Sequence, residues 1–391
     1  IRAVTEDDSQ WKIFVKKDKI NFTEKLDPAP RIIFPRDPRY NVELGLYITA
    51  AEHHIYRAID KLFGRCTVAK GKNAHQRAKM FEEAWDKFDD PISISLDCAR
   101  FDQHCSKTAL EAEHTIYVAV FRNDPMLIWL LNMQLRNRGV AYFEDGKIKI
   151  KVWGGRGSGD MNTAVGNVIL MCFMVWCFMM DFDVDLVLID DGDDANLVME
   201  SRDWYSKCAP NIKDYFKDMG YKLKVEGIYR SLNEIEFCQS RYFNDGKIAT
   251  MIREPFICLD KDLISVRPMT DPTTWANSCR SIGLCGLALA KNVPVLGAFY
   301  ETLAKAGESR GRYDISLMYN TGFHWLSKGM PDVGEVTPQG RLCFYESFGV
   351  TPDEQEALEA DIRRNLRLAY GAGPKGFAID REISELIKSV A

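Results

Sequence analysis

The stretch VLIDDGDDAN, Val187 to Asn196, sets four carboxylates into five positions, Asp190, Asp191, Asp193 and Asp194 around Gly192, directly after an apolar run. Adjacent carboxylates at a turn repel one another, a cost that a bound divalent cation reverses. Three readings compete. DFDVDLVLIDDG opens like a calcium loop, but its sixth position is Leu186 where the sharp turn needs Gly, and its twelfth is Gly192 where a bidentate Glu belongs. An EF-hand is therefore excluded. A polar hairpin tip is the plain alternative, since Asp-Gly between two apolar strands is a strong turn signal. A metal site is the third reading, and it needs a further carboxylate from elsewhere in the chain.

The segment PISISLD alternates apolar and polar residues as a half-buried strand does and ends at Asp97, and Asp102 follows beyond a turn. If this strand lies beside DVDLVLI, then Asp97, Asp193 and Asp194 converge on two cations, the arrangement used for in-line phosphoryl displacement with metals about 3.5 to 4 Å apart. Oxygen donors suit Mg²⁺, which takes one or two carboxylates plus substrate phosphates.

Between the two acidic segments lies the glycine cluster GGRGSGD, Gly154 to Asp160. It has no Lys after its last Gly and misses the G-x-G-x-x-G spacing, so it is neither a P-loop nor a dinucleotide fingerprint. Its glycines allow a loop to approach a sugar-phosphate backbone closely. Ser158, Thr163 and Asn167 then follow a helical progression, with Thr163 and Asn167 four apart and on one face. The uncharged run Val168 to Met180 is 13 residues long, short of the roughly 20 a spanning helix needs, and is expected as a buried core helix.

Helical patterns are expected from about Leu44 to Phe63, from Ala74 to Phe88, and through LEAEHTIYVAVF. VAYFEDGKIKIKVWG has the form of a hairpin turning at Asp145 and Gly146, and EIEFCQSRYF that of one arm of another. From about Thr270 the pattern is mostly helical to Ala391. No internal repeat or low-complexity tract is present.

The 391 residues, 46% of them hydrophobic, suffice for a large core in two or three lobes. The net charge of -5 does not advertise a polyanion partner, so any nucleic-acid surface must be local. One segment is locally basic: Lys12 to Arg39 carries eight Lys/Arg against four acids, among extended pieces broken by prolines. Eleven Cys with no C-x-x-C pair fit free thiols in a reducing, cytosolic setting, and no His/Cys spacing suits zinc. Cys98 and Cys105 are expected as packing residues. The opening IRAVTEDDSQ has no signal-peptide core, and we expect the chain to be a fragment whose natural N-terminus lies upstream.

The order of motifs is more specific than any one of them. DCARFD (Asp97, Asp102), SGDMNTAVGN (Ser158, Gly159, Thr163, Asn167) and GDD (Gly192, Asp193, Asp194) resemble palm motifs A, B and C of viral RNA-dependent RNA polymerases, in the family's order. DPAPRIIFPRDPRYNVELG resembles motif F of the polymerases of Tombusviridae and their relatives, EFCQSRYF their motif E, and SIGLCGLALA their thumb. The likeness runs from about Trp11 to about Lys305. It implies an α/β (α+β) right-hand fold: fingers over 1–91 and 106–157, a palm of antiparallel sheet and helices over 92–105 and 158–250, and a mostly helical thumb over 251–391.

The resemblance also implies roles. Asp97 and Asp193, with Asp194 supporting, would hold two Mg²⁺, for which Mn²⁺ can substitute. Asp102, Ser158, Gly159, Thr163 and Asn167 would lie at the incoming ribose. Arg31 and Arg36 suit bidentate phosphate contacts, and Lys16, Lys17, Lys19 and Lys25 offer point charges. A motif D lysine, Lys224 or Lys222, would act as general acid toward pyrophosphate. The implied partners are RNA template and product, ribonucleoside triphosphates, and an upstream replicase region with viral or host replication factors. The implied location is the host cytoplasm, on membrane-associated replication complexes. Two rivals remain: a reverse transcriptase-like DNA-synthesising palm enzyme, which would be expected to carry an aromatic ring at the position of Asp102, and an inactive palm-fold RNA-binding subunit, against which Asp97, Asp193 and Asp194 argue.

Overall fold

The computed structural model describes residues 2–16, 29–263, 271–308, 311–318, 322–366 and 368. The described residues fall into two compact units, one within 1–70 and 87–228 and the other within 71–86 and 229–391. Helices and mainly antiparallel sheets alternate in an α/β architecture.

In the first unit, β1 (Trp11–Val15) pairs antiparallel with β2 (Ile32–Ile33). Helix α1 (Pro38–Phe63) follows and begins well before the Leu44 expected from periodicity. Pro38 does not break the helix because it occupies the first turn, where its missing N–H costs nothing, and the Asp37 carboxylate accepts from the Arg39 N–H at 3.0 Å. Helix α2 (Ala74–Trp85) belongs to the second unit. The first resumes with β3 (Pro91–Cys98), the single turn α3 (Phe101–His104), α4 (Lys107–Val120) and α5 (Pro125–Asn132). Next come the hairpin of β4 (Arg136–Phe143) and β5 (Gly146–Trp153), and helix α6 (Thr163–Phe182). Strands β6 (Leu186–Asp190) and β7 (Asp194–Glu200), helices α7 (Ser201–Asp203) and α8 (Ile212–Asp218), and β8 (Leu223–Tyr229) complete it.

The central sheet has the order β6-β7-β3-β8. This corrects the expected neighbour of the Asp97 strand: β3 lies between β7 and β8, and β6 is one strand further out. Because β6 and β7 are joined by a tight turn they pair with each other, and β7 then presents its free edge to β3. The second sheet of this unit, β2-β1-β4-β5, is antiparallel except for the parallel pairing of β1 with β4.

Helix α6 is the core of the unit. Val165, Val168, Met171, Met174, Val175 and Phe178 are buried in one cluster with Ile92, Ile94 and Leu96 of β3 and with Leu188, Leu197 and Met199 of the hairpin. At 20 residues it is longer than the uncharged run that marks it, and among the described residues it is the one helix long and apolar enough to cross a membrane. Its burial within the chain, 61% of the most apolar window, accounts for that composition as a core helix.

In the second unit β9 (Glu236–Phe237), β10 (Ser240–Asn244) and β11 (Ala249–Arg253) form an antiparallel sheet, on which α2 packs Phe81 against Phe237. EIEFCQSRYF, expected as one arm, supplies both arms of a hairpin, with Cys238 and Gln239 at positive φ at its tip. Beyond β11 the regular elements among the described residues are all helices, including Pro272–Ala290, Leu296–Glu308 and Pro352–Asn365, and the expected continuation to Ala391 lies outside the described residues. None of the eleven cysteines, all among the described residues, is in a disulfide, and Cys98 and Cys105 are buried.

Candidate active site

The acidic stretch is the tip of the β6–β7 hairpin, as the plain hairpin reading expects. Gly192, at φ +104, takes the left-handed position that so tight a turn requires, and the Asp191 N–H donates to the Asp194 carbonyl at 2.9 Å. The turn then sorts the four carboxylates. Asp190 is 0% exposed and accepts from the Gly192 N–H at 3.2 Å; burial, with Asp191 beside it, pushes its carboxyl well above the usual range. Asp191 pairs with Lys70 at 3.1 Å. Asp193 and Asp194 are exposed.

Strand β3 brings the further carboxylate. Its register on β7 runs from Pro91 opposite Glu200 to Asp97 opposite Asp194, so these two aspartates face each other across the strand pair. Burial pushes the Asp97 carboxyl up, with the like charges of Glu226 and Asp193 adding to it and Lys224 opposing. On β8, Lys224 and Glu226 alternate outward and bond at 2.9 Å, a bond that raises Lys224. Lys222 instead lines a groove with His104, Lys213 and Lys217, although its carbonyl accepts from the Ala99 N–H at 3.0 Å. Of the two motif D candidates, Lys224 is the one whose charge acts on Asp97.

This donor set fits a hard divalent cation. Asp97, Asp193 and Asp194 supply oxygen only, and a cation would offset both the burial and the like charges of Glu226 and Asp193 that raise Asp97. Among the described residues no group of three His, Cys, Asp or Glu side chains could hold a metal by itself. A carboxylate pair completed by substrate phosphates is the ordinary coordination for such an ion.

Beside the turn, Asn167 of α6 donates to the Asp102 carboxylate at 3.0 Å. A Cβ on Gly192 would lie 3.5 Å from the Asn167 Cβ, so this pair abuts the hairpin tip. Among the described residues the buried Asn167 side-chain oxygen has no hydrogen-bond partner. Burial raises the Asp102 carboxyl, against the Asn167 bond and the Arg156 charge.

The remaining expected residues divide. Ser158 precedes α6 instead of continuing its helical progression, and its hydroxyl donates to the Ile32 carbonyl at 3.2 Å. Gly159 is pressed on Pro35, where a Cβ would come within 3.1 Å of the Pro35 Cα, so this glycine lets the loop approach its own chain. Thr163 begins α6, and its hydroxyl donates to the Gly157 and Asp160 carbonyls at 3.0 and 2.9 Å. Arg31 is exposed immediately before β2, next to the residue that Ser158 contacts. Arg36, expected on a phosphate, is corrected: it is 3% exposed, bonds Asp160 at 2.6 and 3.0 Å, Asn137 at 2.7 Å and the Ser9 carbonyl at 2.6 Å, and lies over the rings of Trp11 and Tyr40. A guanidinium so engaged has no face for a ligand. Lys17, Lys19 and Lys25 lie outside the described residues.

A family model described as viral RNA dependent RNA polymerase matches residues 1–369. The chain belongs to this polymerase family. It is 42% identical to the RNA-directed RNA polymerase of Tobacco necrosis virus (strain A), over 90% of this chain and 49% of that protein. It is 42% identical to that of Turnip crinkle virus, over 96% and 48%, and 39% identical to that of Tomato bushy stunt virus (strain Cherry), over 93% and 44%. The chain thus spans about half the length of the curated relatives it matches.

Sequence reasoning missed the polar framework under this polymerase-family site. Arg156, inside the glycine cluster, forms a buried ion pair with Glu113 of α4, and its N–H donates to the Asp102 carbonyl at 2.8 Å. Glu113 also accepts from Asn162 at 2.8 Å and from the Tyr117 hydroxyl at 2.7 Å. Burial opposes the charged form, yet the Arg156 guanidinium holds the Glu113 carboxyl below its ordinary range. No local signal marks Glu113, since one acid in a helix with exposed charged neighbours reads as surface.

Proposed function

We propose that this chain carries out template-directed RNA synthesis, joining ribonucleoside monophosphates to an RNA 3′ end by two-metal nucleotidyl transfer, in replication of a viral RNA genome. What carries the reading is the β3–β7 register, with Asp97 opposite Asp194, Asp193 at the adjoining turn and the Asn167–Asp102 pair against that turn. Asp97 and Asp193, with Asp194 supporting, would hold the cations. Two divalent ions there, Mg²⁺ ordinarily and Mn²⁺ as a substitute, would lower the pKa of the 3′-hydroxyl and neutralise the leaving pyrophosphate.

In this proposal the chain's own groups position and protonate. Arg31 contacts the triphosphate, with Lys19 as a further point charge, and Lys224 gives a proton to pyrophosphate. Arg36 holds the Ser9 carbonyl, Asn137 and Asp160 together beneath the glycine loop. Ser158, Gly159 and Thr163 shape that loop, and the lobes follow the boundaries read from the sequence. Partners are RNA template and product, nucleotides, and a replicase region upstream with viral or host factors. The setting is the host cytoplasm on membrane-associated replication complexes. The test supplies an RNA template and labelled nucleotides with Mg²⁺ or with EDTA: template-length product only with the metal is expected, and its absence under both conditions would sink the proposal.

Sugar choice follows from the same pair. A carboxylate at Asp102 accepts a hydrogen bond from a 2′-hydroxyl directly or through Asn167, whereas a ring there would exclude it. A site built to bond a hydroxyl can reject the analogue lacking it by as much as about 10⁴-fold, and partial exposure of Asp102 to water reduces that figure. Asp102→Ala, and more weakly Asn167→Ala, should lower the preference for ATP over dATP in single-nucleotide incorporation. An unchanged preference in both variants would remove this role.

A further inference from the structure

One face of the β4–β5 hairpin carries charge and aromatic rings that the reaction centre does not use. The register pairs Arg136 with Trp153, Arg138 with Lys151, Val140 with Lys149 and Tyr142 with Lys147. Residues directly opposite in an antiparallel pair point to the same side, so all eight share one face. That face holds five cations and no acid; Glu144 and Asp145 lie in the connecting turn. Among the described residues none of the five cations has a carboxylate partner, whereas Lys12 on the neighbouring β1 is paired with Asp37 at 2.8 Å. The rings are open as well: Tyr142 is 76% and Trp153 63% exposed, and the Arg136 guanidinium lies 4.8 Å from the Trp153 ring centroid. On the opposite face Ala141 is buried with Trp11 and Ile13, and Ile150 packs against that cluster.

In a chain of net charge -5, five unneutralised cations on one strand pair make a local anion surface. Alternate residues along a strand are about 6.8 Å apart, so Lys147, Lys149 and Lys151 repeat at a spacing close to that of successive phosphates in a stretched single strand. Tyr142 and Trp153, near the two ends of the face, offer bases stacking surfaces that tolerate any sequence, whereas the deep, narrow major groove of duplex RNA is closed to side chains. We infer that this face binds single-stranded RNA through its phosphates and bases, independently of sequence and outside the reaction centre. The choice of RNA among polyanions rests on the function proposed above; the anion surface does not.

The test measures fluorescence anisotropy of a labelled oligouridylate across a potassium chloride series. Combined Lys147→Ala, Lys149→Ala and Lys151→Ala should weaken binding at least tenfold and flatten the slope of log affinity against log salt by about 2, at roughly 0.7 per lost phosphate contact. Tyr142→Ala with Trp153→Ala should weaken binding about tenfold while leaving the slope unchanged, because stacking releases no counterions. Both sets are exposed and should keep the parent's circular dichroism and thermal midpoint. Parent-like affinity and slope in both variants would overturn the inference. So would loss of binding confined to phosphatidylserine vesicles, which would make the face a membrane surface. A parent that binds the oligonucleotide through this face but adds no nucleotide would defeat the polymerase proposal and leave this one standing.

Discussion

Asp193→Asn is expected to lower nucleotide addition by more than about 10²-fold, since altering a group that merely supports a metal ligand already costs 10- to 100-fold. The substitution keeps the shape of the side chain and removes its charge. At the tip of the β6–β7 turn it disturbs little else: Asp193 is exposed, and the turn is fixed by backbone bonds and by Gly192. The carboxylate need not touch template, so RNA affinity should stay within about twofold of the parent. Single-turnover extension and equilibrium RNA binding, measured on the same preparation, separate the two quantities. A loss of both would indicate misfolding, and an unimpaired rate would remove Asp193 from the reaction centre.

Arg156→Met should destabilise the chain by about 3–5 kcal/mol, the cost of breaking a buried ion pair from one side. Glu113 would be left with the Tyr117 hydroxyl and the Asn162 amide but no counter-charge in a fully buried position. The pair also leaves no slack: a Cβ on Gly166 would collide with the Glu113 carboxylate and the Arg156 guanidinium, so neither partner can be enlarged. Combining Arg156→Met with Glu113→Leu should recover much of the loss, because an apolar pair of similar volume carries no desolvation cost. Urea unfolding followed by tryptophan fluorescence would measure both. A single variant within about 1 kcal/mol of the parent would show that Glu113 takes up a proton and is content without its partner.

Much of the fold was legible because its signals are local. The alternation of PISISLD gives β3, the Asp-Gly dipeptides give two hairpin turns, and the long uncharged run gives the core of α6. Where local rules conflict, the sequence pattern misleads. Pro38 reads as a break by the usual proline rule, yet an Asp before a Pro at the first helical position is a start signal. EIEFCQSRYF hides its turn because Cys238 and Gln239 adopt positive φ without a glycine to announce it.

By itself the sequence determined the order of elements, the family to which the chain belongs, and the small set of acids from which a reaction centre could be built. Tertiary structure alone decided how those acids are used. It placed β7 beside β3, setting Asp97 opposite Asp194, and divided one run of carboxylates into buried Asp190, lysine-paired Asp191 and exposed Asp193 and Asp194. It also withdrew Arg36 into the interior and joined Arg156 to Glu113. The physical reason is range. Periodicity and turn chemistry act over a few residues, whereas strand neighbours and the burial of a charge depend on partners far along the chain, 124 residues away for Arg36 and Asp160, which no local pattern encodes.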